Sequence, residues 1–290
     1  AGVGVTALGV VLILGQVTQG SKLSFSLGGI TFQPSEFVKI LFLFCIAAIL
    51  WEDSSLKNIV ISGAVAAAHL LILVLSKDLG SALIFFAAYV FLVFFATGKI
   101  RYLLAGGAAG CAASYLAFLL FSHVKVRVQA WQDPWSVIDN QGYQITQSLF
   151  AIGTGGWFGM GLCQGMPGKI PVVEKDFIFA AISEEFGGIF AICLLLICLG
   201  CFIQFMMIAS RMQAMFYKLI AFGLGIQYVT QVFLTVGGVT KFIPSTGVTL
   251  PFVSYGGSSI VSTFMLFAMI QGLYIIKRND EEEMEEAEQR

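Results

Sequence analysis

Asp176 stands where the longest polar interruption of the chain meets a long apolar segment. The interruption runs from His123 to Asp176 and holds three of the six prolines and a glycine cluster from Gly153 to Gly161. A structureless connection of this length is uncommon inside a compact domain and is usually functional. In a membrane protein, an ionisable residue at the mouth of a helix that faces a cavity is a functional candidate. We therefore predict chemistry at one membrane surface, centred on the Asp176 carboxylate.

The helix predicted after Asp176 offers a surface below this carboxylate. At helical spacing, the helix face that carries Asp176 also carries three small residues, namely Ala180, Ser183 and Gly187. These small side chains predict a groove. Glu184 and Glu185 lie two turns deeper, where an unpaired charge is costly, so we expect at least one of them to be paired or to face water.

A helix cap is the alternative role for Asp176, because aspartate is among the preferred residues at helix N-termini. A cap alone does not account for the basic residues expected around it, which are Lys175, Arg127 and Lys241. The sequence therefore favours a site over a cap.

Three further polar clusters fall on the same side of the membrane as Asp176, by the order of the apolar segments. In the first, Gln33 opens the cluster, and Glu36 and Lys39 stand three apart on one helical face, where they form an ion pair that anchors the helix or supports a site. The second is the polar turn at residues 76–81, which is either a plain tight turn or a turn that presents Asp78 to the site. The third is the segment 241–259, whose irregular backbone survives near membrane depth only when buried in protein or lining a wet cavity. Its amides and hydroxyls are candidates to hold an anionic or sugar ligand.

The composition places the chain in a membrane. Hydrophobic residues make up 58% and charged residues 11% of the 290 positions, with a mean hydropathy of +0.88, whereas soluble domains carry about a quarter charged residues. The distribution of charge gives no nucleic-acid footprint. The six cysteines show neither a disulfide framework nor metal-ligand spacing.

Eight apolar segments predict the fold. They fall near residues 1–16, 36–51, 58–75, 81–97, 102–121, 177–208, 214–236 and 256–276. Spanning a bilayer takes about 20 residues, so we predict an all-α, polytopic helical bundle of about eight transmembrane helices. Residues 1–278 form a single transmembrane domain in this prediction, with a long extracytoplasmic loop at 122–176 between the fifth and sixth helices. In that loop, a short amphipathic helix begins at Gly142 and lies on the membrane interface.

The orientation follows from Lys and Arg in the short loops, which concentrate on the cytoplasmic side. This rule places the acidic tail, residues 279–290, in the cytoplasm and the long loop outside. The chain also opens on an apolar segment without an initiator methionine, which we interpret as a truncated start.

Five motifs give the sequence a family resemblance. They are Gln33-Pro34-Ser35-Glu36 with Lys39, Lys77-Asp78-Leu79-Gly80, Gly142-Tyr143-Gln144 with Gln147-Ser148, Asp176-Phe177-Ile178-Phe179-Ala180 with Glu184-Glu185, and Pro251-Phe252-Val253-Ser254-Tyr255-Gly256-Gly257-Ser258-Ser259. In this order they resemble the SEDS family (shape, elongation, division and sporulation), which comprises RodA, FtsW and SpoVE. The family usually has ten spans, so this chain resembles one that begins inside the third.

The resemblance implies a peptidoglycan glycosyltransferase that polymerises lipid II into glycan strands at the outer face of the bacterial plasma membrane, in cell division or cell-shape maintenance. It also implies a class B penicillin-binding protein as partner. The essential acidic residue of the family matches Asp176, and its Glu–Lys pair matches Glu36 and Lys39. One departure is Glu174-Lys175, where the family often has His-Thr.

With this function, Asp176 is either the general base for the acceptor hydroxyl or a ligand of a divalent cation, Mg²⁺ or Mn²⁺. Arg127, Lys39 or Lys241 would stabilise the departing diphosphate. The predicted substrate-binding residues are Gln33, Glu36, Lys39, Arg127, Gln147, Lys241, Ser254, Tyr255, Gly256, Gly257 and Ser258. Two alternatives stay open: a lipid II flippase and a non-catalytic scaffold for a penicillin-binding protein.

Overall fold

The computed structural model describes residues 2–18, 21–27, 30–140 and 142–288. These residues form ten α-helices, which are α1 (Gly2–Leu14), α2 (Pro34–Leu50), α3 (Leu56–Leu75), α4 (Leu79–Thr97), α5 (Ile100–Leu120), α6 (Ser122–Gln132), α7 (Tyr143–Gly155), α8 (Ile178–Arg211), α9 (Met215–Val239) and α10 (Gly257–Glu288). A polytopic helical membrane fold is therefore confirmed.

Every predicted apolar segment coincides with a helix, but the helices differ in length. Within the described residues, six are long and apolar enough to cross a bilayer: Leu56–Leu75, Leu79–Thr97, Ile100–Leu120, Ile178–Arg211, Met215–Val239 and Gly257–Glu283. The other two are α1, with 13 residues, and α2, with 17 residues. At 1.5 Å per residue they extend about 20 and about 26 Å, less than the hydrocarbon core of about 30 Å.

A small antiparallel sheet between α1 and α2 departs from the all-α prediction. Its strands, β1 (Gln16–Thr18), β2 (Ser21–Leu27) and β3 (Ile30–Phe32), pair in the order β1-β2-β3. Phe25 pairs with Phe32. The signal was present in the sequence, because Leu23, Phe25 and Leu27 alternate with Ser24 and Ser26 over β2.

The connection at 122–176 holds more regular structure than the one short helix predicted in it. The connection contains α6 and α7, and a 3₁₀ turn covers Pro167–Lys169. The helix predicted to begin at Gly142 is α7, which begins at Tyr143. Its buried residues Ile145, Thr146 and Ser148 show that one face of α7 packs into protein.

The chain divides into two compact units, and the first comprises residues 1–106, 201–228 and 257–290. Its largest fully buried side chains include Phe42, Leu43, Phe85, Leu92 and Leu219. Proline suits the first turn of a helix because its missing amide donor has no partner there, and Pro34 begins α2. The buried Phe42 and Leu43 and the initial Pro34 thus define α2, and Glu36 and Lys39 lie in its first two turns.

The second unit comprises residues 107–200 and 229–256. Its core joins α7, the start of α8 and the end of α9 through a buried cluster of Ile145, Ala151, Ile170, Phe177, Phe179, Ala180, Ala191 and Val239. Ser148 on α7 donates a hydrogen bond to the Val239 carbonyl at 3.0 Å. This core holds the turn that carries Asp176. The prediction of one transmembrane domain over residues 1–278 stays a prediction.

The acidic tail continues α10. Lys277 pairs with Glu281 at 2.9 Å, and Arg278 pairs with Glu282 at 3.1 Å, both at the i,i+4 spacing that supports a helix. The residues from 279 to 288 are therefore helical.

Candidate active site

Asp176 lies in the second unit, at the end of the turn that leads into α8. This helix begins at Ile178, and the Phe177 carbonyl accepts a hydrogen bond from the backbone amide of Ala180 at 2.9 Å. Phe177 thus occupies the N-cap position, and Asp176 precedes it by one residue. The carboxylate is half-buried.

The segment 241–256 fixes the backbone just before Asp176. The Tyr255 amide donates to the Glu174 carbonyl at 2.7 Å, and the Ser254 hydroxyl donates to the Lys175 carbonyl. Ser254 also accepts the Leu250 amide at 2.7 Å. Ser254 and Tyr255 were predicted as substrate-binding residues; Ser254 is buried and makes these bonds, whereas the Tyr255 side chain is exposed.

Arg127 faces the same small space as Asp176. Its Nη1 donates to the Ser245 carbonyl at 3.2 Å. A Cβ atom added at Gly247 would lie 3.7 Å from Arg127 Nη2 and 3.9 Å from Asp176 Oδ2. The guanidinium and the carboxylate therefore line one space beside Gly247, as the basic surround predicted.

Burial is the main influence on the charge of Asp176. It raises the pKa of the Asp176 carboxyl above its ordinary value, while the carboxyl's hydrogen bond with its own backbone amide and the positive charges of Arg127 and Lys175 oppose the rise. Glu174 adds to the rise by like-charge repulsion. A higher pKa makes the ionised carboxylate a stronger base.

Lys241 and Gln147 also belong to this unit. The Trp131 indole donates to the Lys241 carbonyl at 3.1 Å, which fixes the Lys241 backbone at a positive φ of 60°. Gln147 is half-buried on α7. Gly256 ends the segment that begins at Lys241 and directly precedes α10.

A second set of predicted residues lies in the first unit. Lys39 Nζ lies 2.6 Å from Glu36 Oε2, and their side chains are only 5% and 12% exposed. The Ser262 hydroxyl donates to Glu36 at 2.8 Å. The ion pair predicted from the i,i+3 spacing is thus present, and it is buried. Ser262 was not predicted; the sequence signal is its position one helical turn after Ser258 on α10.

Gln33 and Ser258 lie in the same set. The backbone amide of Gln33 donates a hydrogen bond to Ser258 Oγ at 2.9 Å, and the Ser258 hydroxyl donates one to the Thr31 carbonyl at 3.2 Å. The loop before α2 is therefore held to the start of α10, which begins at Gly257. Gln33 Nε2 also donates to Ser35 Oγ at 3.1 Å.

Asp78 joins this set through hydrogen bonds. It accepts the Ser81 amide at 3.1 Å as the N-cap of α4, and it accepts the Ser35 hydroxyl at 3.3 Å. Burial raises the pKa of the Asp78 carboxyl, and the nearby Glu36 charge raises it further. The hydrogen bonds from Ser81 and Ser35 lower it. The polar turn at 76–81 is therefore more than a plain turn.

The carboxylates do not form a metal site from protein ligands alone. Within the described residues, no three His, Cys, Asp or Glu side chains converge on one point. A divalent cation at Asp176 would complete its coordination with water, backbone carbonyls or oxygen ligands from the substrate.

The sequence profile of the FtsW/RodA/SpoVE family, described as a cell cycle protein, matches residues 2–279. The chain belongs to this family. The resemblance drawn from the five motifs is thus confirmed, and the chain is a multi-pass membrane protein of the FtsW/RodA/SpoVE type.

Relatives and a solved structure agree with the family. The chain is 36% identical over 273 residues to the peptidoglycan glycosyltransferase RodA of Mycobacterium tuberculosis strain H37Rv, which covers 87% of this chain and 57% of that protein. It is 34% identical over 268 residues to the probable peptidoglycan glycosyltransferase FtsW of Saccharophagus degradans, at 89% and 69% coverage. A chain solved in a study of polymerisation and crosslinking by a peptidoglycan synthase complex superposes with a TM-score of 0.80 at 25% identity, covering 96% of this chain and 79% of that one. The chain thus spans somewhat more than half the length of the RodA relative.

Proposed function

We propose that this protein is a peptidoglycan glycosyltransferase that polymerises lipid II into glycan strands at the outer face of the bacterial plasma membrane, in cell division or cell-shape maintenance. The observation that carries the proposal is the half-buried Asp176 carboxylate, which lines a space beside Gly247 with Arg127. The names of the RodA and FtsW relatives support the same reaction.

Asp176 acts as the general base in this proposal. It accepts the proton of the acceptor sugar hydroxyl as the oxygen attacks the anomeric carbon of the donor. The bond from that carbon to the diphosphate oxygen then breaks, and the diphosphate leaves with the electron pair. General base catalysis of this kind contributes about 10²–10⁴-fold to the rate.

Arg127 is the cation that we propose for the leaving group. Its guanidinium lies beside the same space as Asp176, and a fixed positive charge stabilises a departing diphosphate. Lys241 and Gln147, in the same unit, are proposed as further substrate contacts, with Ser254, Tyr255 and Gly256 holding the backbone next to Asp176.

We do not assign Lys39 to stabilisation of the departing diphosphate. Since Lys39 is paired with Glu36, whose side chain is 12% exposed, we assign the pair to substrate binding and to support of the α2 start, and we assign Gln33, Gly257 and Ser258 to substrate binding as well. Arg127 and Lys241 then stabilise the negative charge of the departing diphosphate.

A divalent cation stays a proposal alongside the base. Asp176 would hold Mg²⁺ or Mn²⁺ together with diphosphate oxygens, and the ion would supply neutralisation of the leaving group. Under this proposal, polymerisation stops in a chelator and returns when the ion is restored.

Orientation and partner complete the proposal. From the distribution of Lys and Arg in the short loops, we propose that the acidic end of α10 lies in the cytoplasm and that the turn with Asp176 faces outward, where lipid II presents its sugars. A class B penicillin-binding protein would crosslink the product. The solved synthase complex that couples polymerisation with crosslinking supports such a partner.

The decisive experiment for the function uses the purified, reconstituted protein. We expect it to convert purified lipid II into glycan polymer, alone or with a class B penicillin-binding protein, as measured by gel analysis of labelled product. The same liposomes are assayed for movement of labelled lipid II between leaflets. Flipping without polymer would favour the transporter, and neither polymer nor flipping, alone or with the partner, would favour the scaffold.

The pH dependence of the reaction provides a further prediction. Burial raises the folded-state pKa of Asp176, and a base must be ionised, so activity is present at high pH and is lost as the pH falls through that raised pKa, above the ordinary aspartate value of about 3.9. Lys175 opposes the rise, so Lys175→Met is expected to move the acid limb of kcat/KM to higher pH. The exposed Lys125→Met is the control. An acid limb that does not move in Lys175→Met would contradict Asp176 as the titrating base.

A further inference from the structure

Residues 156–166 form an unusual connection in the second unit, here called the apolar segment. After α7 ends, this segment runs beside the interior of α8 and exchanges backbone hydrogen bonds with it. The bonds are Met160 N to Glu184 O at 2.9 Å, Gly161 N to Glu185 O at 3.0 Å, Gly188 N to Gly156 O at 2.8 Å and Ile189 N to Trp157 O at 3.2 Å. The apolar segment thus pairs with α8 on both sides of position 187.

A break in α8 explains this pairing. Gly187 has φ 85° and ψ 173°, which interrupts the helix and removes helical partners from the amides and carbonyls around it. The apolar segment replaces those partners. The backbones of the apolar segment and α8 approach so closely that both Gly159 and Gly187 must be glycine. A Cβ added at Gly187 would lie 2.3 Å from Gly159 N, and one added at Gly159 would lie 2.2 Å from Glu185 O.

Glu184 holds the other end of the apolar segment. Its Oε1 accepts the Met166 amide at 3.2 Å, and its side chain is buried. This bond satisfies the expectation that one of the two adjacent glutamates is paired. These bonds satisfy part of the segment's backbone through α8, as irregular backbone at the edge of a membrane requires.

The side chains of the apolar segment face outward. No charged residue occurs from position 153 to position 168. Trp157 is 66% exposed and Phe158 is 86% exposed, and Met160, Leu162 and Met166 are exposed as well. A contiguous apolar surface of this kind marks contact with a membrane or a partner.

The length of α8 gives the depth of the apolar segment. The part after the break, residues 188–211, extends about 36 Å and alone spans a hydrocarbon core of about 30 Å. The break therefore lies at the boundary of the bilayer, the depth at which tryptophan is enriched. Outward-facing Ile189, Phe190 and Ile192 after the break continue the same exposed apolar surface, and Phe186 stacks on Phe190 across the break with centroids 4.9 Å apart.

We propose that residues 156–166 are a re-entrant element inserted into the lipid at the membrane boundary, where Trp157 and Phe158 contact phospholipid at the junction of acyl chains and headgroups. The continuity of this surface with the lipid-facing side of α8 argues for phospholipid as its occupant. This contact is independent of the glycosyl transfer proposed above, and its measurement needs no substrate.

Tryptophan fluorescence tests the lipid contact in liposomes of dioleoylphosphatidylcholine and of its dibrominated form, which quenches indoles at the acyl chains. The emission of Trp157 is the difference between the wild-type protein and Trp157→Phe. We expect brominated lipid to quench this emission, because an indole at the boundary lies next to the acyl chains, and we expect aqueous iodide to leave it unquenched. Trp135→Phe removes another exposed indole, beside Asp133, and is expected to leave the lipid-quenched fraction in place.

Two results would overturn the proposal. One is Trp157 emission that iodide quenches and brominated lipid does not. The other is an iodide-accessible Trp157 that becomes protected only when a class B penicillin-binding protein is reconstituted with the chain, which would assign the surface to a protein partner.

Discussion

Replacing Asp176 with asparagine is expected to lower the rate of glycan polymerisation about 10²–10⁴-fold, the usual contribution of a general base. Asparagine keeps the size of the side chain and an acceptor oxygen but does not take up the proton of the acceptor hydroxyl. The measurement is the initial rate of polymer formation from purified lipid II, with equal amounts of reconstituted wild-type and variant protein.

Stability separates a catalytic role of Asp176 from a structural one. Burial raises the pKa of Asp176 in the folded state, so its contribution to stability is present at low pH and is lost as the pH rises through that pKa. At neutral pH, Asp176→Asn removes a buried charge and is expected to keep or raise the midpoint of thermal unfolding. Asp139→Asn, at an exposed position, is the control for rate and midpoint. Full activity in Asp176→Asn would remove the residue from the mechanism.

Replacing Lys39 with methionine is expected to destabilise the protein by about 3–5 kcal/mol, the usual effect of breaking a buried ion pair by removing one partner. The change leaves the Glu36 carboxylate in a site where its side chain is only 12% exposed. Thermal unfolding in detergent measures the loss. Lys57→Met removes an exposed lysine at the start of α3 and is expected to have little effect.

The double variant Glu36→Gln/Lys39→Met tests the reason for that loss. Because it removes both charges, it is expected to recover most of the stability that Lys39→Met alone loses. Equal losses in the single and double variants would show that packing of the lysine stem, instead of its charge, stabilises α2. Recovery of stability without recovery of polymerisation would assign the pair to substrate binding.

The sequence predicted the helices better than it predicted their interruptions. Hydropathy located each of the six candidate spans among the described residues, because apolar side chains must face lipid or core. The break at Gly187 was not predicted, since a single glycine is common in transmembrane helices and the hydrogen bonds that maintain the break come from residues almost thirty positions earlier. The sheet at residues 16–32 was not predicted either, although its alternating pattern was readable.

Local contacts of the candidate site were predictable from the sequence, and its long-range contacts were not. The spacing of Glu36 and Lys39 indicated an ion pair, and the basic surround of Asp176 indicated Arg127. The bond from Ser262 to Glu36 links positions 226 residues apart, a separation that no local pattern reveals. For the same reason, the bonds from Ser254 and Tyr255 to the backbone before Asp176 required the three-dimensional structure.

The interruption of α8 also bears on how the protein is made. During synthesis, residues 188–211 offer the insertion machinery a complete span without acidic side chains. The preceding piece, with Glu184 and Glu185, is hydrogen-bonded to the apolar segment through its backbone and is not needed to complete that span. We therefore expect insertion of the span and assembly of the turn that carries Asp176 to be separate steps.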